Sequence, residues 1–463
     1  MLDSQPMDTP ARAASSAACF VIVGAGQAGV QAAITLREQG LACRLVLIGA
    51  EAHRPYMRPP LSKQVLTGEF DLGRLDLRPP TYYAQRGIEL RLQCPVVQLD
   101  RSARRLRLAD GSEQGYERLL LATGSRPRTL PTWPAAHPQV HVLRTLDDAL
   151  SLRSQLVAGR RLVVIGGGYI GLEVAAIAAQ RGLAVTVLER APRLLERVTT
   201  PALSTFVEAE HRAHGVQVRC GVQVRGLVGR RGRLDGTELH GVQLEGGEVL
   251  AADLVVVGIG AVPNTELAQE AGLACEDGIV VDDTGRTSDP AIFAAGDCTR
   301  HPNALFQRRL RLESVQNAVD QATVAALAMA GKPARYVRVP WFWSQQYELK
   351  LQSAGLSEGH DEIIERGDRA LKRFALLYRR GGQLIGVDAV NLPAEYLAAR
   401  KAIAARGELP AGAAATALAA TTTTAAAAPA ASSAPAAAAV AAAFPHETTT
   451  ARDHPTQPIA TAP

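Results

Sequence analysis

The chain has 463 residues, 47% hydrophobic and 21% charged, with a formal net charge of +5. That length is too great for one hydrophobic core and predicts two or three domains of a globular enzyme. Lys and Arg are dispersed, with no long basic run and no interleaved aromatic array, which argues against a nucleic-acid partner; an acidic protein partner explains the sign equally well.

Met1 to Ala18 is small and polar, with Arg12 its single positive charge and no apolar block of secretory-signal length. A cytoplasmic protein is expected. The six cysteines, at 19, 43, 94, 220, 275 and 298, form no C-x-x-C pair and no metal-ligand spacing, so neither a disulfide framework nor a metal site is expected.

The apolar run Phe20 to Val23 reads as a buried parallel strand, and Gly24-Ala25-Gly26-Gln27-Ala28-Gly29 turns from it into a helix reaching about Gln39. The first glycine permits the tight turn, the second lets a diphosphate approach the backbone, and the third lets helix pack on strand. The phosphates then meet the helix N-terminus. A second strand, Leu45 to Ile48, leads to Glu51, about 20 residues past the last glycine, where an acid that binds a ribose hydroxyl belongs.

The loop from Arg54 to Lys63, RPYMRPPLSK, contains no cysteine, and Cys43 precedes the second strand. No sulfur is placed there to take electrons, which disfavours a thiol relay. Leu119 to Leu121 is another apolar strand, ending at Ala122-Thr123-Gly124-Ser125.

A second unit then repeats the first: strand Arg161 to Ile165, Gly166-Gly167-Gly168-Tyr169-Ile170-Gly171, a helix to about Arg181, strand Ala184 to Leu188, and the acid Glu189. Two complete units predict two dinucleotides, one retained and one exchanged. Leu254 to Gly260 and Ile292 to Asp297 are further apolar strands ending at glycine.

This set resembles the two-dinucleotide-binding flavoproteins: an α/β fold with two Rossmann-like domains. Four stretches narrow the likeness: the Arg54–Lys63 loop, ERAPRLLERV from Glu189 to Val198, Leu312 to Ala318, and Pro340 to Tyr347, PWFWSQQY. They are similar to the FAD-dependent ferredoxin reductases that serve bacterial haem monooxygenases and aromatic-ring dioxygenases. The likeness runs from Phe20 to Arg406. It departs at Met57, where the family usually has an acid, at Gln345, usually Asp, and at Arg190, usually a small residue.

The resemblance implies that Gly24, Gly26, Gly29, Glu51 and Asp297 hold FAD, and that Gly166, Gly168, Gly171 and Glu189 hold the nicotinamide cofactor. Arg58, Lys63, Thr123, Gly124, Gly260, Glu313, Val315 and Gln316 complete the cofactor-binding set. Asp297 has a second reading, as a helix N-cap. Glu189 accepts from a free ribose 2′-hydroxyl and repels a 2′-phosphate, which favours NADH over NADPH; Arg190 and Arg193 nearby would pair with such a phosphate.

The implied reaction passes a hydride from NADH to FAD and then single electrons to a [2Fe–2S] ferredoxin. Lys63 and Glu173 are implied to meet at the flavin as assisting residues that steady its negative charge; the alternative is an ordinary ion pair. Trp341 and Trp343 have strand spacing and face one side unless Phe342 sits in a bulge. The resemblance puts an indole between flavin and partner, the other belonging to the core. Glu313, Val315 and Gln316 open a helix towards Ala330, whose dipole favours negative charge on the reduced flavin. Arg308, Arg309, Arg311 and Lys350 make a candidate docking face for an acidic ferredoxin, against the reading of simple solvated surface.

The expected domains are a discontinuous FAD domain, 17–125 with 260–332, a nicotinamide domain, 126–259, and a C-terminal α+β domain, 333–409. The tail, 410–463, is rich in Ala, Thr and Pro and is expected to be disordered, because it cannot bury enough surface to offset its chain entropy. Two other functions fit the fingerprints: a flavoprotein reducing a small molecule, and an FAD-carrying, NADH-sensing interaction protein.

Overall fold

A computed structural model describes residues 18–129, 137–229, 232–233, 238–407 and 415–418. Two parallel five-stranded sheets follow from the two repeated units. In the first, the order is Ile292–Ala294, Arg118–Leu121, Cys19–Val23, Arg44–Ile48 and Ile88–Arg91. In the second it is Gln217–Arg219, Ala184–Leu188, Arg161–Ile165, Leu254–Val257 and Val140–His141. The central strands carry Val, Ile and Leu with both faces buried, the composition that a helix-covered parallel sheet requires.

The chain crosses between the two sheets twice, and the crossings pair with each other as a two-stranded antiparallel ribbon, Ser125–Pro127 against Ala261–Pro263. Each glycine turn feeds a helix that lies beside its strand, Gln27–Glu38 and Tyr169–Gln180. In the first unit the helix also packs on Val315–Met329, through alanines that let the two backbones approach: Ala28, Ala32, Ala318, Ala322 and Ala325 share one cluster.

The third unit is an antiparallel sheet in the order Trp341–Gln346, Leu349–Gly355, Gln383–Val390, Arg373–Arg380, Glu362–Asp368 and Ala415–Leu418, with helix Pro393–Ala405 against it. The last strand corrects the expectation of an unstructured tail: its backbone pairs with Glu362–Asp368 and extends the sheet by one edge. The remainder of that tail lies outside the described residues. No described helix is long and apolar enough to cross a membrane.

One apolar cluster joins all three units. It contains Leu61, Val65 and Leu66 from the first, Leu172 and Val174 from the second, and Phe342, Phe374 and Tyr378 from the third. Phe342 packs on Tyr169 with ring centroids 4.1 Å apart. Truncating such a buried ring costs about 3–5 kcal/mol, so this contact locks the second unit to the third.

Candidate functional site

The two glycine turns are built alike, and the space around each glycine states its task. A Cβ on Gly24 would lie 2.1 Å from the Ala122 carbonyl oxygen, and one on Gly29 would lie 1.9 Å from that of Gly24. The second unit matches: Gly166 would meet the Gly258 oxygen at 2.3 Å and Gly171 that of Gly166 at 2.3 Å. These four are needed by the protein itself. The middle glycines differ, since Gly26 has nothing within 4 Å and Gly168 only the Gly258 oxygen at 3.9 Å. Packing does not require glycine there, and the open backbone is the cradle that a diphosphate needs.

Gly26 opens onto a cavity of about 410 Å³. Two helix N-termini border it, the first capped by Gly26 and the second by Ser314, whose hydroxyl accepts from the Asn317 amide. Both present positive dipole ends to the same space. Glu51, Arg58, Lys63, Thr123, Gly124, Asp297, Glu313 and Val315 also line it.

Within the cavity the polar groups are already paired. Glu51 accepts from Arg58 Nη2 and Tyr56 Oη, both at 2.5 Å. Burial raises the Glu51 carboxyl, but Arg58 and Tyr56 outweigh it and hold the group below the ordinary carboxylate range. Asp297 accepts from Ser125 Oγ at 2.9 Å and Arg144 Nη2 at 3.0 Å. It is thus a cavity-lining acid with a charged partner, and no helix starts at it for the N-cap reading to describe.

Arg144 was not among the sequence candidates. It reaches the cavity because Thr145 and Asp148 form a capping box that fixes the start of the next helix, turning the preceding residue inward. The signal was the T-L-D-D pattern beside a cation. The Arg144 carbonyl in turn accepts from Arg58 Nη1 at 2.7 Å.

Lys63 Nζ lies 2.6 Å from Glu173 Oε2, with Glu173 1% exposed. Ser62 Oγ also donates to that oxygen, and Ser344 Oγ donates to Glu173 Oε1 at 2.6 Å. The three partners come from the first and third units and meet the second unit's helix, which is apolar on nearly every face and so carries this carboxylate into the interior.

Other candidates stand elsewhere. Gln316 does not line the cavity; its amide donates to Asp320 at 2.7 Å. Trp341 and Trp343 stack on one face of an unbroken strand, centroids 5.7 Å apart and 15° between planes, with Arg400 over Trp341. Arg311 is corrected outright: it is 6% exposed and paired with Asp277 and Glu313, so it is no part of a solvated face. Burial pushes the Glu313 carboxyl up against the pull of that guanidinium. Arg308, Arg309 and Lys350 are exposed.

A second cavity, of about 550 Å³, lies where the three units meet; Tyr169, Arg197, Arg308, Trp341 and Phe342 line it. Ser314 borders both cavities, and the neighbours Tyr169 and Ile170 border one each. At the second glycine turn Glu189 accepts from the Gly167 and Ala191 amides, both at 2.7 Å. Gly260 closes that side, the Arg197 guanidinium lying 3.1 Å from where its Cβ would be.

The model of the pyridine nucleotide-disulphide oxidoreductase family matches residues 19–322, and that of the reductase C-terminal domain matches 341–424. Putidaredoxin reductase of Pseudomonas putida is 45% identical over 389 residues, 83% of this chain and 92% of the relative. Rhodocoxin reductase of Rhodococcus erythropolis is 45% identical over 385 residues, 83% and 89% of the two chains. The chain belongs to the ferredoxin-reductase branch of this family. Its fold agrees with putidaredoxin reductase as solved in a covalent complex with putidaredoxin, TM-score 0.81 at 44% identity, covering 84% of this chain and 94% of that one. The ferredoxin reductase of the CYP199A2 system from Rhodopseudomonas palustris gives the same TM-score at 41% identity, covering 84% and 95%.

Proposed function

We propose that this reductase takes electrons from NADH and delivers them one at a time to an acidic [2Fe–2S] ferredoxin that serves an oxygenase. The observation that carries the reading is the buried Lys63–Glu173 pair, fixed between the two nucleotide-binding units with Lys63 at the wall of a cavity cradled by two helix N-termini. Bound FAD supplies the conversion between a two-electron hydride and single electrons.

The residues of the chain bind, orient and keep out water. Gly26 and the helix behind it receive a diphosphate; the Glu51 and Asp297 carboxyl groups are held by Arg58 and Arg144, with lone pairs left for ribose and ribityl hydroxyls. The Lys63 side chain sits where water is scarce, so its ammonium acts on nearby developing negative charge far more strongly than it would in solvent. Glu173 keeps that ammonium in place. Neither group has to transfer a proton.

NADH over NADPH is supported by the second glycine turn. Two backbone amides fix the Glu189 carboxylate at the strand end, in the place where a 2′-phosphate would be repelled. Arg193 is committed to Glu196, Ser204 and the Thr199 carbonyl rather than free to meet a phosphate. Six cysteines, all unpaired, accord with a cytoplasmic setting. Arg308, Arg309 and Lys350 remain as the exposed cations of the docking face, with an acidic carrier the partner that such a face selects.

Anaerobic stopped-flow mixing tests the reading. The yellow protein is expected to bleach fast with NADH and slowly with NADPH, then to be reoxidised by a [2Fe–2S] ferredoxin. Bleaching without any transfer to ferredoxin would sink the acceptor assignment and move the function to a small-molecule reductase or a redox sensor.

A further inference from the structure

Glu173 is also held from behind, by a line of buried polar groups leading away from the flavin cavity. Ser344 Oγ donates to Glu173 Oε1 at 2.6 Å, and Gln346 Nε2 lies 3.2 Å from Ser344 Oγ. His211 Nε2 is 2.9 Å from Gln346 Oε1, and Tyr347 Oη is 3.1 Å from His211 Nδ1. Ser344 and His211 are fully buried and Gln346 is 1% exposed. His211 comes from helix Pro201–Ala213 of the second unit, the serine and glutamine from the first strand of the third.

Elementary bonding rules fix the polarity of this line. An ionised carboxylate only accepts, so Ser344 must donate to it. The serine oxygen then takes its own bond from the Gln346 amide nitrogen, which turns the amide carbonyl towards His211. The imidazole must therefore carry its hydrogen on Nε2, leaving Nδ1 to accept from Tyr347. Every donor points towards Glu173, and bonds aligned in one direction reinforce one another in a low-dielectric interior.

The weak link is the amide, which can turn over. Reversed, its carbonyl would face Ser344 and draw the hydroxyl hydrogen away from Glu173, leaving the carboxylate one donor short. His211 is the group that prevents this, because it offers the amide carbonyl a buried N–H on the correct side. Burial holds the ring below the ordinary histidine range, against the bond it donates to Gln346, and so keeps Nδ1 free to accept.

We propose that His211 is a positioning residue for flavin reduction: it fixes the Gln346 amide, which keeps Ser344 donating to Glu173 and the carboxylate turned to Lys63. The proposal rests on the reading that the Lys63–Glu173 pair serves the flavin. An ordinary core histidine with both nitrogens satisfied would have the same contacts but no effect on the chemistry.

The test uses the flavin-loaded protein. His211→Leu is expected to slow the limiting rate of bleaching at saturating NADH about tenfold, the scale of one lost hydrogen bond to a charged group. The NADH dissociation constant should stay within about twofold, since ground-state binding is untouched. Ser344→Ala should slow the rate similarly, and the double variant should be no slower than Ser344→Ala alone, because both act on one line. His211→Gln, which offers an amide N–H, should restore most of the rate.

A second readout is independent of turnover: nitrogen NMR of the labelled His211 ring should show the Nε2–H tautomer, and Gln346→Leu should release it to a mixture. An unchanged limiting rate in folded, flavin-loaded His211→Leu, additive slowing in the double variant, or an Nδ1–H tautomer in the unaltered protein overturns the proposal. If His211→Leu does not load flavin, Gln346→Leu breaks the same line and carries the same expected slowing. The unaltered protein is measured alongside: its failure to bleach would count against the flavin reading, whereas its bleaching leaves the variants to judge His211.

Discussion

Lys63 and Glu173 are 110 positions apart in the chain and 2.6 Å apart in the fold. Removing one charge strands the other in the interior, at a cost of about 3–5 kcal/mol, whereas removing both is far milder. Glu173→Gln and Lys63→Met should each lower the denaturant midpoint, and the double variant should recover most of the loss. Three urea unfolding curves settle it, and two harmless single variants would show the pair to be solvated.

The first glycine turn predicts a separation of stability from binding. Gly24→Ala places a methyl group against the Ala122 carbonyl at a φ of +113°, so it should unfold the turn and lower the melting temperature as well as the flavin content. Gly26→Ala meets no protein atom within 4 Å and should melt normally while losing flavin. Thermal unfolding of the apoproteins and visible absorbance of the holoproteins separate the two effects.

Arg144 should matter for flavin retention although no fingerprint contains it. Arg144→Ala takes the cation from Asp297 and empties one wall of the cavity. Loss of a charge-assisted bond predicts about tenfold weaker flavin binding or more, on the order of 1.5–3 kcal/mol. Equilibrium titration of the apoprotein with FAD measures it, and unaltered affinity would place Arg144 outside the binding set.

His301 should make a pH-dependent contribution to stability. It is fully buried, both ring nitrogens lack a hydrogen-bond partner, and burial, with Arg309 adding to it, pulls its pKa down to about 4. Unfolded, the ring takes a proton below about 6.5, so its contribution is complete above that pH and is lost as pH falls towards 4. His301→Leu should flatten the melting-temperature profile across that window and be the more stable protein at pH 5. A slope identical to that of the unaltered protein would assign the effect elsewhere.

The arginines near the third unit should divide by burial. Arg308→Glu and Arg309→Glu are expected to raise the KM for ferredoxin about tenfold at low salt, with less effect at high salt, leaving NADH-driven flavin bleaching unchanged. Arg311→Leu instead leaves Glu313 buried without its partner and should cost about 3 kcal/mol of stability. Ferredoxin titrations at two ionic strengths, with an unfolding curve for each variant, distinguish docking from packing.

By itself the sequence determined the two nucleotide-binding units, almost to the residue. Cys19–Val23 and Arg161–Ile165 are apolar runs closed by glycines whose neighbours tolerate no side chain, so local pattern and packing demand coincide. The stacked Trp341–Trp343 pair was legible for the same reason, as strand alternation alone puts both on one face.

What only the tertiary structure decided is where long-range partners fall. Arg311 looked like its exposed neighbours because nearness along the chain groups cations without saying which of them is covered; Asp277 and Glu313 decide that. Arg144 enters the cavity by a capping geometry, and the strand Ala415–Leu418 exists through backbone pairing with an edge, which side-chain composition does not encode. The line from His211 to Glu173 joins residues of two units through single hydrogen bonds of fixed direction. Such contacts leave no periodicity in the chain, because their geometry is set by how finished domains meet.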